Sequence, residues 1–137
     1  MNPGRIVLAP GVFQEIIRHA RSCLPEESCG FLVGWEGRIE RFIPAKNALA
    51  SKTAFSVEPR FLFKLFRELR ASGETLVAIY HSHPTGEAIP SPRDVREAYY
   101  PNSAHVIVSL QDETQPEVRA FRVIEDDVIE IGLHAIV

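Results

Sequence analysis

Residues that commonly bind metals cluster in one short stretch of the chain, which reads IYHSHPTGEAIPSPRD from position 79 to position 94. His81 and His83 stand two positions apart, and Asp94 follows them. Residues i and i+2 of a strand point to the same face of the sheet, so the two imidazoles can reach one ion. Two neutral imidazoles and one carboxylate leave a fourth tetrahedral position for water, as in catalytic zinc sites. The stretch therefore predicts a hydrolytic zinc site with one Zn²⁺ per chain.

The carboxylate of Asp94 must be turned back toward the histidines, and the residues before it predict how. Ser91 is a good helix N-cap, and Pro92 is favoured at the first helical position. Asp94 then falls in the first turn, three residues after the cap. The cap uses the Ser91 oxygen to accept the amide of Asp94 or Arg93. The Asp94 carboxylate can then point back over the helix start toward the end of the strand.

A hydrolytic site also needs a base that takes the proton of the attacking water. Glu87 is nearest in sequence, but carboxylates in loops are usually solvated. Glu27 lies at the mouth of a predicted buried strand, CGFLVGW, that can run beside the strand before His81. We therefore prefer Glu27, although its neighbour Glu26 is an alternative and either residue could be a solvated turn residue.

Apolar periodicity and turn residues predict the elements that position these side chains. We expect an α/β fold of the α+β type, with a mixed, partly closed sheet of about six to eight strands flanked by three helices. The predicted strands span residues 6–8, 29–35, 38–43, 75–80, 105–110, 118–124 and 128–136, and residues 54–57 are a candidate short extended segment. The predicted helices span residues 12–23, 59–72 and 92–100. Glu36-Gly37 and Asp126-Asp127 are the predicted hairpin turns.

Length and composition favour one soluble globular domain over residues 1–137, with 45% hydrophobic and 24% charged residues. The start of the chain lacks the charged and apolar regions of a signal peptide, so we expect a cytoplasmic protein without a membrane segment. Fifteen basic against eighteen acidic residues give a net charge of −3, which argues against a nucleic-acid partner. Cys23 and Cys29 are too few for a thiolate zinc finger, and we expect both to be reduced, with a bridge between them as the less favoured alternative.

Two separate elements resemble the JAMM (MPN-plus) zinc metalloproteases. The first runs from His81-x-His83-Pro84 through six residues to Ser91, and through two more to Asp94. The second is Glu27-Ser28-Cys29-Gly30, which resembles the upstream Glu-x-x-Gly element of that family and favours Glu27 over Glu26.

The resemblance implies a cytidine-deaminase-like MPN architecture and one Zn²⁺ bound by His81, His83, Asp94 and water. It also implies that Glu27 is the general acid/base and that Ser91 stabilises the tetrahedral oxyanion, a role that competes with the simple cap. The implied substrate is an amide or isopeptide bond at the C-terminal tail of a ubiquitin-like protein. The short passage from position 92 to the strand at His105 resembles the minimal prokaryotic branch, including enzymes that release an amino acid such as cysteine from a sulfur-carrier protein.

Two alternatives stay open at this point. The HPTG sequence with Pro90-Ser91 also resembles the RadC-like branch, which shares the metal motif. Members of that branch are generally longer and carry a helix-hairpin-helix region that this chain lacks, so we rank it lower. The chain could also be a noncatalytic MPN scaffold or binding module, although such relatives typically lack one or more ligands and none is missing here. The oligomeric state is not fixed by the sequence, and a homodimer is left open.

Overall fold

The computed structural model describes residues 4–137. The first three residues, part of the chain start that is expected to lack a signal peptide, lie outside the described residues. Seven strands and three helices follow one another along the chain, and among these residues no helix is long and apolar enough to cross a membrane. The elements are β1 (Arg5–Leu8), α1 (Val12–Cys23), β2 (Cys29–Trp35), β3 (Arg38–Ala45), α2 (Pro59–Ser72), β4 (Thr75–His83), α3 (Pro92–Arg96), β5 (Ala104–Ser109), β6 (Glu117–Ile124) and β7 (Asp127–Ala135).

The strands form one mixed sheet that closes into a barrel in the order β1-β3-β2-β4-β5-β6-β7. β4 pairs antiparallel with β2 and parallel with β5. β1 closes the ring, because it pairs parallel with both β3 and β7. The predicted α+β fold with a mixed sheet and three helices is confirmed, and β4 carries the metal-binding motif between two hydrogen-bonded neighbours.

β4 separates two hydrophobic clusters, which explains why its sequence is apolar without alternation. Ala78 and Tyr80 belong to the larger cluster, together with Ile16 of α1. Ile79 points to the other side and packs in the cluster that includes Leu65 of α2. A strand covered on both faces has little freedom to shift, so the residues at its carboxyl end are presented at a fixed position.

Some boundaries differ from the sequence expectation. α3 ends at Arg96 rather than near Tyr100, because Tyr100 instead packs against Phe66 of α2 with ring centroids 5.7 Å apart. Residues 54–57 form no strand and belong to a loop.

The last hairpin turn consists of residues 125 and 126 rather than 126 and 127, because Ile124 pairs with Asp127 across β6 and β7. Both turn residues have positive φ, as a two-residue turn of the primed type requires.

The expected strand over residues 75–80 is longer in the structure and runs through His83. β5 continues to pair with it, with Ile107 beside His81 and Ser109 beside His83. The amide of Leu110 also donates to the carbonyl oxygen of His83 at 3.1 Å. Both histidines therefore lie within the sheet rather than in the loop that follows it.

The glycine of the Glu-x-x-Gly element is required by the close approach of β2 and β3. A Cβ atom at Gly30 would lie 2.6 Å from the Phe42 ring and 2.7 Å from the Ile43 carbonyl oxygen. The second contact is with backbone, which cannot rotate away. A side chain at Gly30 would therefore push apart two strands next to the residues of the motif.

We predict that Gly30→Ala lowers the free energy of unfolding by about 1–3 kcal/mol, the usual cost of overpacking, in urea denaturation. Gly132→Ala is the matched control in a strand, because its Cβ would meet its nearest atom, a Gly4 oxygen, at 3.4 Å. The control should stay within about 0.5 kcal/mol of the parent. Equal stability of the two variants would contradict the proposed close contact.

Candidate metal centre

Three side-chain atoms converge at the end of β4. The Nε2 atoms of His81 and His83 lie 3.1 Å apart, and each lies 3.1 Å from Oδ2 of Asp94. His81 is almost fully buried, and the other two side chains are partly buried. The structure therefore brings together the three residues that the sequence predicted, and they form a group that could hold a metal ion.

The start of α3 aims the carboxylate of Asp94. Ser91 Oγ accepts the amide of Asp94 at 3.1 Å, while Oδ2 of Asp94 accepts the amide of Ser91 at 2.9 Å. This reciprocal pair is a capping box that satisfies two amides at the helix start. Because Oδ2 accepts the Ser91 amide and faces both histidines, the same interaction begins the helix and orients the third candidate ligand.

The mutual distances fit a tetrahedral zinc ion. Zinc–nitrogen and zinc–oxygen bonds of about 2.0–2.2 Å place neighbouring ligand atoms about 3.3–3.6 Å apart, so only a small outward shift from 3.1 Å is needed. Nδ1 of His83 lies 2.7 Å from the carbonyl oxygen of Glu87, which can only accept, so Nδ1 carries the proton. In the neutral ring, Nε2 of His83 presents a lone pair toward Asp94, and a cation between the two atoms would offset their repulsion at 3.1 Å. In the protonated ring, Nε2 donates to the Asp94 carboxylate instead.

Electrostatics at this point also favour a cation. Burial by itself raises the pKa of Asp94, but hydrogen bonds from His81 and His83 outweigh it and hold that pKa far below its usual range. Burial by itself lowers the pKa of His83, but the Asp94 carboxylate and the Glu87 carbonyl outweigh it and raise that pKa. The carboxylate is therefore ionised, and it stabilises positive charge beside it.

Glu27 lies next to this group although it is far from it in the sequence and precedes a different strand, β2. Cys29 pairs with His81, and the amide of Ser82 donates to the Ser28 carbonyl at 3.0 Å. Continuing this antiparallel register by one residue sets Glu27 opposite His83. The predicted position of Glu27 at the mouth of β2, beside β4, is confirmed.

The carboxyl group of Glu27 has the properties of a proton acceptor. Glu27 is 4% exposed, and its Oε1 has no hydrogen-bond partner within residues 4–137. Burial raises the pKa of Glu27 to about 7, with His83 lowering it and Asp94 raising it further. Glu26 is half-buried, and Glu87 is exposed and uses its backbone carbonyl rather than its carboxylate.

Two residues at the site escaped the sequence reasoning. Phe55 stacks on His81 with ring centroids 4.8 Å apart and covers one face of the imidazole. Asn47 is buried, and its side-chain amide donates to the carbonyl oxygens of Glu27 at 3.1 Å and Ala54 at 3.0 Å. Both residues lie in the long loop between β3 and α2, where no periodic pattern marks a side chain as inward-facing.

Comparison with known sequences gives consistent relatives. Residues 9–124 match the family described as prokaryotic homologs of the JAB domain. The CysO-cysteine peptidase of Mycobacterium tuberculosis is 37% identical over 127 residues, covering 91% of this chain and 87% of that protein. A probable TtuB-protein conjugate cleaving protease of Thermus thermophilus is 41% identical over 99 residues, covering 69% and 65%. The desampylase of Haloferax volcanii is 28% identical over 116 residues, covering 80% and 84%.

Solved structures share the fold. A protein of Desulfitobacterium hafniense, solved in solution, superposes with a TM-score of 0.85 and 31% identity, covering 96% of this chain and 93% of that chain. A JAB1/MPN domain protein of Archaeoglobus fulgidus gives a TM-score of 0.65 at 19% identity, covering 96% and 98%, and shows likeness of fold alone. With a match over most of its length and the His81, His83 and Asp94 group in place, this chain belongs to the prokaryotic JAB-domain family.

Proposed function

We propose that the protein is a zinc-dependent peptidase that hydrolyses an amide bond at the C-terminal tail of a ubiquitin-like or sulfur-carrier protein. The observation that carries the proposal is the convergence of three ligand atoms at 3.1 Å beside the buried Glu27, whose Oε1 has no hydrogen-bond partner among residues 4–137. The names of the relatives support the class of substrate, since they include a CysO-cysteine peptidase, a TtuB-protein conjugate cleaving protease and a desampylase.

His81, His83 and Asp94 would hold the ion. When bound, zinc supplies Lewis-acid chemistry, because it lowers the pKa of water and polarises a carbonyl group. The hydrogen bond from His83 to the Glu87 carbonyl keeps the ring in the tautomer that binds through Nε2. Phe55 restrains the His81 ring from one side.

Glu27 would accept the proton of the attacking water and return it to the leaving nitrogen. A carboxyl group is most effective in this exchange when its pKa lies near the working pH, and burial raises the pKa of Glu27 to about 7. The amide of Glu27 donates to the Ser51 carbonyl at 2.8 Å, so the backbone that carries the base is fixed.

Ser91 can combine the two roles that the sequence set against each other. Its oxygen accepts the amide of Asp94, so the cap exists in the structure. A hydroxyl group has one donor and two acceptor positions, and the cap occupies only an acceptor. We propose that the remaining O–H group donates to the substrate carbonyl oxygen as negative charge develops on it.

The compartment, the partners and the oligomeric state are the remaining features of the protein. We propose that the protein acts in the cytoplasm without a nucleic-acid or membrane partner, in keeping with a net charge of −3. That residues 1–137 form one domain stays a prediction, and a homodimer stays open.

We predict one zinc ion per chain after reconstitution and dialysis, measured by elemental analysis. His83→Ala and Asp94→Ala should each weaken zinc binding by at least about 100-fold in chelator competition, because each removes a direct ligand. His134→Ala is the control, since His134 is exposed on β7, and its zinc content should not change. Absence of zinc after reconstitution would refute the proposed metal centre.

Glu27→Gln should retain zinc and lose activity by about 10²–10⁴-fold, because it removes a proton acceptor and not a ligand. The assay follows release of a C-terminal residue from fusions of ubiquitin-like and sulfur-carrier proteins, with and without a chelator. Glu26→Gln is the matched control on the neighbouring residue and should stay active. Loss of zinc from Glu27→Gln, with Asp94→Asn retaining it, would show that the roles are wrongly assigned.

Two substitutions of Ser91 separate its roles. Ser91→Ala removes both cap and donor, whereas glycine costs an N-cap only a few tenths of a kcal/mol while also removing the donor. If the hydroxyl stabilises the oxyanion, both variants should lose about 10²–10³-fold in kcat, and only Ser91→Ala should be clearly less stable. A Ser91→Gly variant with parental kcat would limit Ser91 to capping.

A further inference from the structure

A cavity of about 310 Å³ adjoins the metal centre. His81 and Asp94 form part of its wall, so a group bound in the cavity is continuous with the place of reaction. The rest of the wall is mainly apolar and includes Phe31, Phe55, Val57, Leu62 and Ile79. Liquid water takes about 30 Å³ per molecule, so the cavity is large enough for one large side chain.

His105 gives the mainly apolar part of this wall a polar group. β5 runs parallel to β4 with His105 beside Ile79 and Ile107 beside His81, so His105 and His81 lie on the same face of the sheet. His105 is 9% exposed and lines the cavity. Its imidazole makes no hydrogen bond with any of residues 4–137. Its ring nitrogens are accessible rather than fully buried, so they are available to a polar atom of a group bound in the cavity.

The charges near the cavity favour a neutral group at that place. Arg93 and Glu97, which also line the cavity, are exposed and pair with each other, with Arg93 Nε 3.1 Å from Glu97 Oε1. Asp94 is already engaged by His81 and His83. Burial lowers the pKa of His105 to about 4, which leaves a neutral ring with one donor and one acceptor. A charged group at the inner wall would lose its water without gaining a free counter-ion.

We propose that this cavity is a specificity pocket for the substrate residue next to the scissile bond. It selects a large apolar side chain that ends in a neutral hydrogen-bonding group, as tyrosine does, and His105 pairs with that group. The identity of the occupant as a substrate residue rests on the proposed function. The chemistry of the pocket does not, and it can be measured without hydrolysis.

N-acetyl-tyrosinamide and N-acetyl-phenylalaninamide, which differ by one hydroxyl group, are the probes. The zinc-reconstituted protein should bind the tyrosine probe about five- to tenfold more tightly in an NMR titration, the effect of one neutral hydrogen bond. The imidazole resonances of His105 should shift with the tyrosine probe. His105→Leu should abolish the preference, His105→Gln should restore part of it, and His134→Leu should leave it unchanged.

Equal affinity for both probes, or a His105 signal that does not respond, would overturn the pocket even if His105→Leu failed to fold. Fusions with tyrosine or phenylalanine on either side of the scissile bond test the role in hydrolysis. Cleavage without a tyrosine preference at either position would overturn the specificity role. If the probes bind as expected and no fusion is cleaved, the proposed peptidase function fails while the binding pocket stands.

Discussion

The pairing of β2 with β4 is the contact on which the site depends. Ser28, the residue before β2, extends this pairing, because the Ser82 amide donates to the Ser28 carbonyl oxygen at 3.0 Å. The Ser28 amide donates to the side chain of Ser82, with Oγ at 2.8 Å. The Ser28 hydroxyl also donates to Ser82 Oγ at 2.8 Å, and both side chains are buried. A shift by one residue would turn Glu27 to the opposite face, away from His83. These two serines therefore fix the face of the sheet on which Glu27 lies.

The third ligand candidate depends on a different kind of interaction. α3 has five residues, which is too short to be stable by its own hydrogen bonds. Its capping box and the approach of Asp94 to the histidines stabilise it instead. Because one oxygen of Asp94 takes part in both, helix start and metal centre form together. This coupling depends on the three-residue spacing between Ser91 and Asp94.

The sequence predicted the parts of the site that depend on local geometry. His81 and His83 are related by strand period, and Ser91 and Asp94 by helix capping, and both relations are properties of neighbouring residues. Most strands and the first two helices follow from periodicity in the same way. The end of α3 did not, because Tyr100 leaves the helical path to pack on Phe66 of another helix. The role of Ser91 was posed as a choice, whereas the structure assigns its acceptor and leaves its donor available.

His105 and Asn47 show why the rest of the site was beyond sequence reasoning. His105 looked like an ordinary strand residue until the β4–β5 register set it on the face of His81. Asn47 joins the backbone of Glu27 to that of Ala54, next to the Phe55 ring that covers His81, and its Oδ1 also accepts the Ser56 amide at 3.2 Å. One buried amide thus holds both Glu27 and the loop that covers His81. A displacement of that loop would therefore move the backbones of Glu27 and Phe55 together.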